Sequence, residues 1–116
     1  MSKSASPEPS LKRYNQSMNL TEFTAAVDAA SSSASWPPEW PELLKSLAFD
    51  RAGDWETAHS IAQDVPSDQG SAVHAFLHRE EGVEWNADYW YRRAGRRRFS
   101  GSLDEEWKAL ALEILG

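Results

Sequence analysis

The sequence contains no cysteine. Disulfide bonds, thiolate-bound zinc and iron–sulfur clusters are therefore excluded, and any metal site would have to use histidine or carboxylate ligands. No stretch of about 18 apolar residues occurs, so no segment is expected to span a membrane. The starting segment MSKSASPEPS lacks the apolar core of a secretory signal, and we expect a cytoplasmic protein.

The sequence also has fewer basic than acidic residues. Twelve lysines and arginines stand against 18 aspartates and glutamates, which gives a formal net charge of −6. Because phosphate binding requires clustered cations, this balance argues against nucleic-acid binding over the whole surface.

What is present suffices for one small domain. Apolar residues make up 41% of the 116 residues and include six tryptophans, which can supply a modest core. Residues 1–17 are rich in serine, proline and charge, a composition that cannot offset the entropy lost on ordering. They are predicted to be a flexible tail, and residues 18–116 a single helical-repeat-like domain.

Two stretches of the chain repeat the same apolar pattern at a spacing of 29 residues. In each copy an apolar helical stripe runs into a glycine, and a second stripe follows a few residues later. The aligned pairs include Leu44 with Val73, Leu47 with Phe76, Gly53 with Gly82, and Ala58 with Ala87. This pattern predicts two tandem helix-turn-helix pairs, which must stack to bury their apolar faces.

Further helices are predicted on both sides of these pairs. Phe23, Ala26 and Val27 have helical spacing, and residues 31–35 read as a linker after them. Near the end, Ser102 and Glu105 match a capping box that precedes another apolar stripe. The predicted fold is all-α, with about six short helices: two antiparallel pairs, an N-terminal helix and a C-terminal capping helix.

The run Ala-Asp-Tyr-Trp-Tyr-Arg-Arg-Ala-Gly at residues 87–95 resembles the second-helix signature of Sel1-like repeats, which are related to tetratricopeptide repeats. The resemblance covers about residues 41–98. It implies a protein–protein interaction scaffold in which the first helix of each pair lines a concave groove. It carries over no catalytic residue and no cofactor.

The predicted function is therefore an interaction module for an unidentified protein or peptide partner. Its groove would be lined by the helices at 41–52 and 70–82. Phe49 and His78 occupy the same position in the two copies, and such a pair could also mediate self-association. The candidate contact residues are Lys45, Phe49, His74, His78, Glu81, Arg92, Arg93 and Arg96.

The three histidines support an alternative from another class, a metal-binding protein or metal-dependent enzyme. His74 and His78 are four residues apart on one predicted helix, so they share a face. His59 lies on the helix expected to pack against it. If the three converge, they could bind zinc or another divalent metal; otherwise they have structural or surface roles.

Five arginines within seven positions allow a second alternative. Together with Tyr89 and Phe99, this patch could bind RNA, a phosphate or an acidic partner peptide; its arginines are Arg92, Arg93, Arg96, Arg97 and Arg98. They could equally complement a helix C-terminus and pair with carboxylates elsewhere on this acidic chain.

The tryptophans are assigned to packing. A cluster of three is predicted to close the N-terminal end of the stack or, alternatively, to form an exposed anchor for a partner: Trp36, Trp40 and Trp55. Trp85 lies off the apolar stripe of its helix and is predicted to be the more exposed one.

Overall fold

The computed structural model describes residues 18–30 and 35–116. The predicted tail, residues 1–17, and all but the last residue of the predicted linker lie outside this range. Within it the chain is all-α, as predicted, with six helices and no strand. These are α1 (Leu20–Ala29), α2 (Glu42–Arg51), α3 (Trp55–Gln63), α4 (Asp68–Glu81), α5 (Glu84–Arg93) and α6 (Leu103–Leu115).

Short polar side chains and glycines set the helix ends. Asn19 and Ser102 begin α1 and α6 with capping boxes. The side chain of each cap residue accepts a hydrogen bond from the backbone N–H of a glutamate three residues later, and that glutamate's side chain accepts one from the cap's backbone N–H. Ser67 caps α4 in the simpler way, by accepting from the Gly70 N–H. At the other end of α4, Gly82 has a φ of 90°, a left-handed conformation that glycine adopts without strain.

The two predicted pairs are α2 with α3 and α4 with α5. In the first pair, the Ser46 hydroxyl donates to the Ala58 carbonyl oxygen at 2.7 Å, and both residues are buried. In the second pair, Ala75 and Ala87 are buried at the contact, and small side chains here allow close helix approach. The pairs stack through α3 and α4, where the Trp55 indole N–H donates to the Leu77 carbonyl at 2.9 Å.

Helix α6 is the capping helix, and it packs against both first helices of the pairs, α2 and α4. Its Trp107 indole N–H donates to the Leu47 carbonyl at 2.8 Å, and the Trp107 ring stacks on Phe23 of α1 with centroids 5.5 Å apart. The side of the stack formed by α2 and α4, which the repeat resemblance assigns to a partner, is thus packed against a helix of the chain itself.

A buried ion pair fixes α6 in this position. The Glu106 side chain is 2% exposed. Its carboxylate accepts from the Arg79 guanidinium at 2.7 Å and from the Tyr91 hydroxyl at 2.6 Å, and Arg79 also donates to the Gly101 carbonyl. Burial and the bond to Glu106 raise the pKa of Tyr91, so its hydroxyl remains a donor.

The tryptophans divide between two regions. Trp36 and Trp40 stack on each other near α1, with ring centroids 5.7 Å apart. Trp55, which was expected to join them, lies at the contact between α3 and α4 instead. Among the described residues, no helix is both long enough and apolar enough to cross a bilayer.

Candidate metal centre

Helices α3 and α4 bring the three histidines together. His74 and His78 project one turn apart from α4, and His59 meets them from α3. The ring centroids are 4.6 Å apart for His59 and His74, 5.0 Å for His59 and His78, and 4.8 Å for His74 and His78. One potential ligand atom from each residue lies within 4.8 Å of the other two. The geometry therefore has the convergence that a shared metal site requires.

The closest contact within the cluster joins two ring nitrogens. The Nε2 atoms of His59 and His74 are 2.9 Å apart, so one of them carries a proton and the other presents its lone pair. The other ring nitrogen of His74, Nδ1, is buried and has no hydrogen-bond partner. A buried polar atom left unpaired costs about 1–3 kcal/mol. Hydrogen bonds of the protein therefore leave this cluster incompletely satisfied.

Glu81 orients the third histidine. Its carboxylate oxygen lies 2.7 Å from Nδ1 of His78, one turn further along α4. Because an ionised carboxylate can only accept, Nδ1 of His78 carries the proton, and in the neutral ring Nε2 presents the lone pair. A carboxylate behind a histidine is the usual arrangement around protein-bound metals, where it fixes the ring and strengthens the ligand.

The environment keeps two of the histidines neutral. Burial, followed by the neighbouring His78, lowers the pKa of His59. Burial, followed by His59 and His78, lowers the pKa of His74 to about 3. A neutral imidazole is the form that binds a metal ion, so these nitrogens need not lose an extra proton near neutral pH.

Two tryptophans form walls on the outer sides of the cluster. The Trp55 ring stacks on His59 at a centroid distance of 4.8 Å, and the Trp90 ring stacks on His74 at 3.8 Å. Sequence reasoning placed neither tryptophan beside the histidines. The available signal was the four-residue spacing of Trp55 and His59 on one helix, which places their side chains together.

A tetrahedral ion bound at about 2.0–2.1 Å from each nitrogen would hold the nitrogens about 3.4 Å apart. The contact of 2.9 Å between His59 and His74 would have to open by about half an ångström, and the wider separations, up to 4.8 Å, would have to close. Three histidines leave a fourth coordination position for water or another ligand.

The residues predicted to contact a partner lie in different environments. His74 and His78 are only 3% and 6% exposed. Lys45 forms an ion pair with Glu42 at 2.8 Å, and Phe49 packs edge-on against Trp36. Partner binding through these positions stays a prediction.

The predicted arginine patch is partly neutralised. Arg96 pairs with Glu113 at 2.6 Å, and Arg98 pairs with Asp88 at 2.7 Å. Arg92 and Arg93 are exposed on α5, and Arg97 is exposed beyond its end.

Comparison with known proteins gives no relative: no family model, curated protein or solved structure matches the chain. The function is therefore argued from the residues themselves.

Proposed function

We propose that this protein binds a divalent transition-metal ion through His59, His74 and His78. The observation that carries the proposal is the convergence of three imidazoles from two helices, with one ligand atom from each within 4.8 Å of the others. Packing three histidines against one another leaves His74 without a complete set of hydrogen bonds. A metal ion would use the lone pairs that the protein brings together.

The ligand set indicates the class of metal. Imidazole nitrogens suit Zn²⁺, Cu²⁺, Ni²⁺ and Co²⁺, whereas Mg²⁺ and Ca²⁺ prefer oxygen ligands. All three ligands are imidazoles, and Glu81 lies behind His78 as a partly exposed carboxylate. It would offset part of the charge of a bound ion without replacing a histidine as ligand.

Titration of the purified protein with Zn²⁺ and Co²⁺ tests the proposal. Calorimetry should give one ion per chain, and bound Co²⁺ should show the visible absorption of a four-coordinate site. His74→Ala should abolish binding. His59→Asn, at a less buried position, serves as a second variant if His74→Ala fails to fold.

Glu81→Gln separates the orienting carboxylate from the ligands. It should keep the stoichiometry but weaken binding by about 10–100-fold, the usual effect of losing such a partner. The proposal is wrong if the folded wild-type protein binds none of Zn²⁺, Co²⁺, Ni²⁺ and Cu²⁺, or if folded His74→Ala and His59→Asn bind them as tightly as wild type does.

We propose as a second function that the two helix pairs are Sel1-like or tetratricopeptide-like repeats that bind a protein partner. The tandem stacking of the pairs favours this, and so does the burial of Ala87 and Ala94, the two alanines of the repeat signature. Helix α6 packs on α2 and α4, whereas Trp85 and Tyr89 are exposed on α5, so we place the partner on the outer side of the second helices.

A further inference from the structure

The outer face of α5 carries two exposed aromatic side chains. Trp85 is 74% exposed and Tyr89 is 43% exposed. They are four residues apart on α5 and therefore lie on the same side of the helix. Tryptophan and tyrosine in such positions are the residues that most often anchor protein interfaces.

Two arginines without an ion-pair partner in the described part of the chain, Arg92 and Arg93, lie one turn further along this face. Arg92 and Arg93 make no ion pair among the described residues, whereas the nearby Arg96 and Arg98 are held by Glu113 and by Asp88. The Arg93 guanidinium lies 6.0 Å from the Tyr89 ring centroid and 5.3 Å from that of Trp90. It therefore lies beside the aromatic rings of α5.

We propose that Trp85, Tyr89, Arg92 and Arg93, here called the α5 face, dock an acidic protein segment that carries one large apolar side chain. The apolar side chain would pack against Trp85 and Tyr89, and flanking carboxylates would pair with the two arginines. The inference rests on the second proposed function, to which it adds the class of partner. It does not depend on the metal centre.

Charge favours a protein segment over RNA. Glu84 and Asp88 lie beside Trp85 on the same helix, and both pair with Arg98, at 3.4 and 2.7 Å, so Arg98 adds no free cation to the face. The face offers two unpaired cations on a chain of net charge −6. An acidic segment of a few residues needs only those two, whereas RNA needs a longer basic track.

The experiment begins with a display library of short random peptides selected on the immobilised wild-type protein. The expected result is enrichment of aspartate and glutamate on both sides of leucine, phenylalanine or tryptophan. Fluorescence anisotropy with the most enriched peptide then measures affinity. Trp85→Ala and Arg92→Gln should each weaken binding by about tenfold, the effect typical of interface anchors.

Arg98→Gln is the matched control. It changes the net charge as Arg92→Gln does, but Arg98 is already paired with Asp88. Its effect on affinity should stay within about twofold, as for a screened charge outside the interface. All three positions are solvent-exposed, and unchanged circular dichroism and melting temperatures will confirm folding.

Several results would overturn the inference. Equal losses for Arg92→Gln and Arg98→Gln would mean that only net charge matters. Tighter binding of oligouridylate than of the peptide would assign the face to RNA, and a dimer that Trp85→Ala dissociates would assign it to a second copy of the chain. If the selected peptides bind Trp85→Ala as tightly as wild type, the α5 face is not their binding site, but the scaffold function could still use another surface. If no peptide is enriched, the result counts against both the α5 face and the scaffold function.

Discussion

Gly70 lies where the first turn of α4 passes close to the backbone of the preceding connection. A Cβ atom at this position would lie 2.1 Å from the Val65 carbonyl oxygen. Because that obstacle is backbone, it cannot rotate away as a side chain could. The glycine therefore lets the first turn of α4 pack against residues 65–67, and α4 in turn carries two of the three clustered histidines.

We expect Gly70→Ala to lower the free energy of unfolding by about 2 kcal/mol, the usual cost of forcing an extra methyl group into a packed site. Urea denaturation measures the change. Ser71→Ala, one residue further on, is the control and should stay within about 0.5 kcal/mol. A Gly70→Ala protein as stable as wild type would show that residues 65–67 can move aside at little cost.

Asp50 and Glu80 form a hydrogen-bonded carboxyl pair between α2 and α4. Burial raises the pKa of Asp50, and burial together with the bond to Asp50 raises the pKa of Glu80 to about 9. The unfolded chain releases the Glu80 proton near 4.5. Between these values the folded protein holds a proton that the unfolded chain has lost, so stability falls as the pH rises through this window.

Glu80→Gln should reduce this dependence, leaving only the part that comes from burial of Asp50. The variant should match wild type near pH 4.5 and exceed it at about pH 9 by a few tenths to about 1 kcal/mol, the range for a half-exposed charge pair. Urea midpoints at both pH values give the difference. Glu84→Gln, at the exposed start of α5, is the control variant. A Glu80→Gln protein that is less stable than wild type at alkaline pH would contradict the shared proton.

At the scale of elements, the attachment of α6 depends on Glu106. Replacing Glu106 with glutamine would leave the Arg79 guanidinium without its counter-charge in a largely buried site. Breaking a buried ion pair from one side costs about 3–5 kcal/mol, and the lower end applies because Arg79 is 22% exposed. We therefore expect Glu106→Gln to destabilise the protein by about 3 kcal/mol in urea denaturation.

Glu113→Gln is the comparison for this prediction. It makes the same substitution in the same helix and also removes an arginine partner, Arg96, but the pair is solvent-exposed. Its cost should be at most about 1 kcal/mol. Similar losses for the two variants would show that Glu106 contributes no more than a surface ion pair.

The helices themselves follow from local signals in the sequence. Gly53 and Gly82 end α2 and α4 as predicted, and the Ser102–Glu105 capping box correctly begins α6. Helix α3 ends at Gln63, three residues before Pro66, which cannot continue a helix. The 29-residue repeat correctly predicted the two helix pairs, because each copy contains a complete helix, a glycine and a second helix.

Contacts between side chains that lie far apart in sequence were harder to predict. Glu106 lies in the first turn of α6, where an acidic residue normally faces solvent and the helix dipole. Its burial depends on Arg79 and Tyr91, which belong to α4 and α5. The position of Trp90 has the same origin, because Trp90 belongs to α5 and meets His74 of α4 only when the two helices pack together.

At the scale of the whole molecule, the proposed metal ion would join the two helix pairs. His59 belongs to the first pair and His74 and His78 to the second, so a bound ion bridges the α3–α4 contact on which the stack depends. An ion that binds only the folded state stabilises it by about 2.7 kcal/mol at a free concentration 100 times the dissociation constant. In a domain of this size we expect the melting temperature to rise by about 10–20 °C.

Thermal unfolding with and without zinc measures the rise, and His59→Asn identifies its source. His74 and His78 could chelate an ion from a single helix turn, without the first pair. Such binding would survive in His59→Asn and would stabilise both proteins equally. If the ion instead bridges the pairs, His59→Asn should lose most of the zinc-dependent increase while α4 keeps its two histidines. The difference between the two proteins therefore measures how far the metal joins the stack.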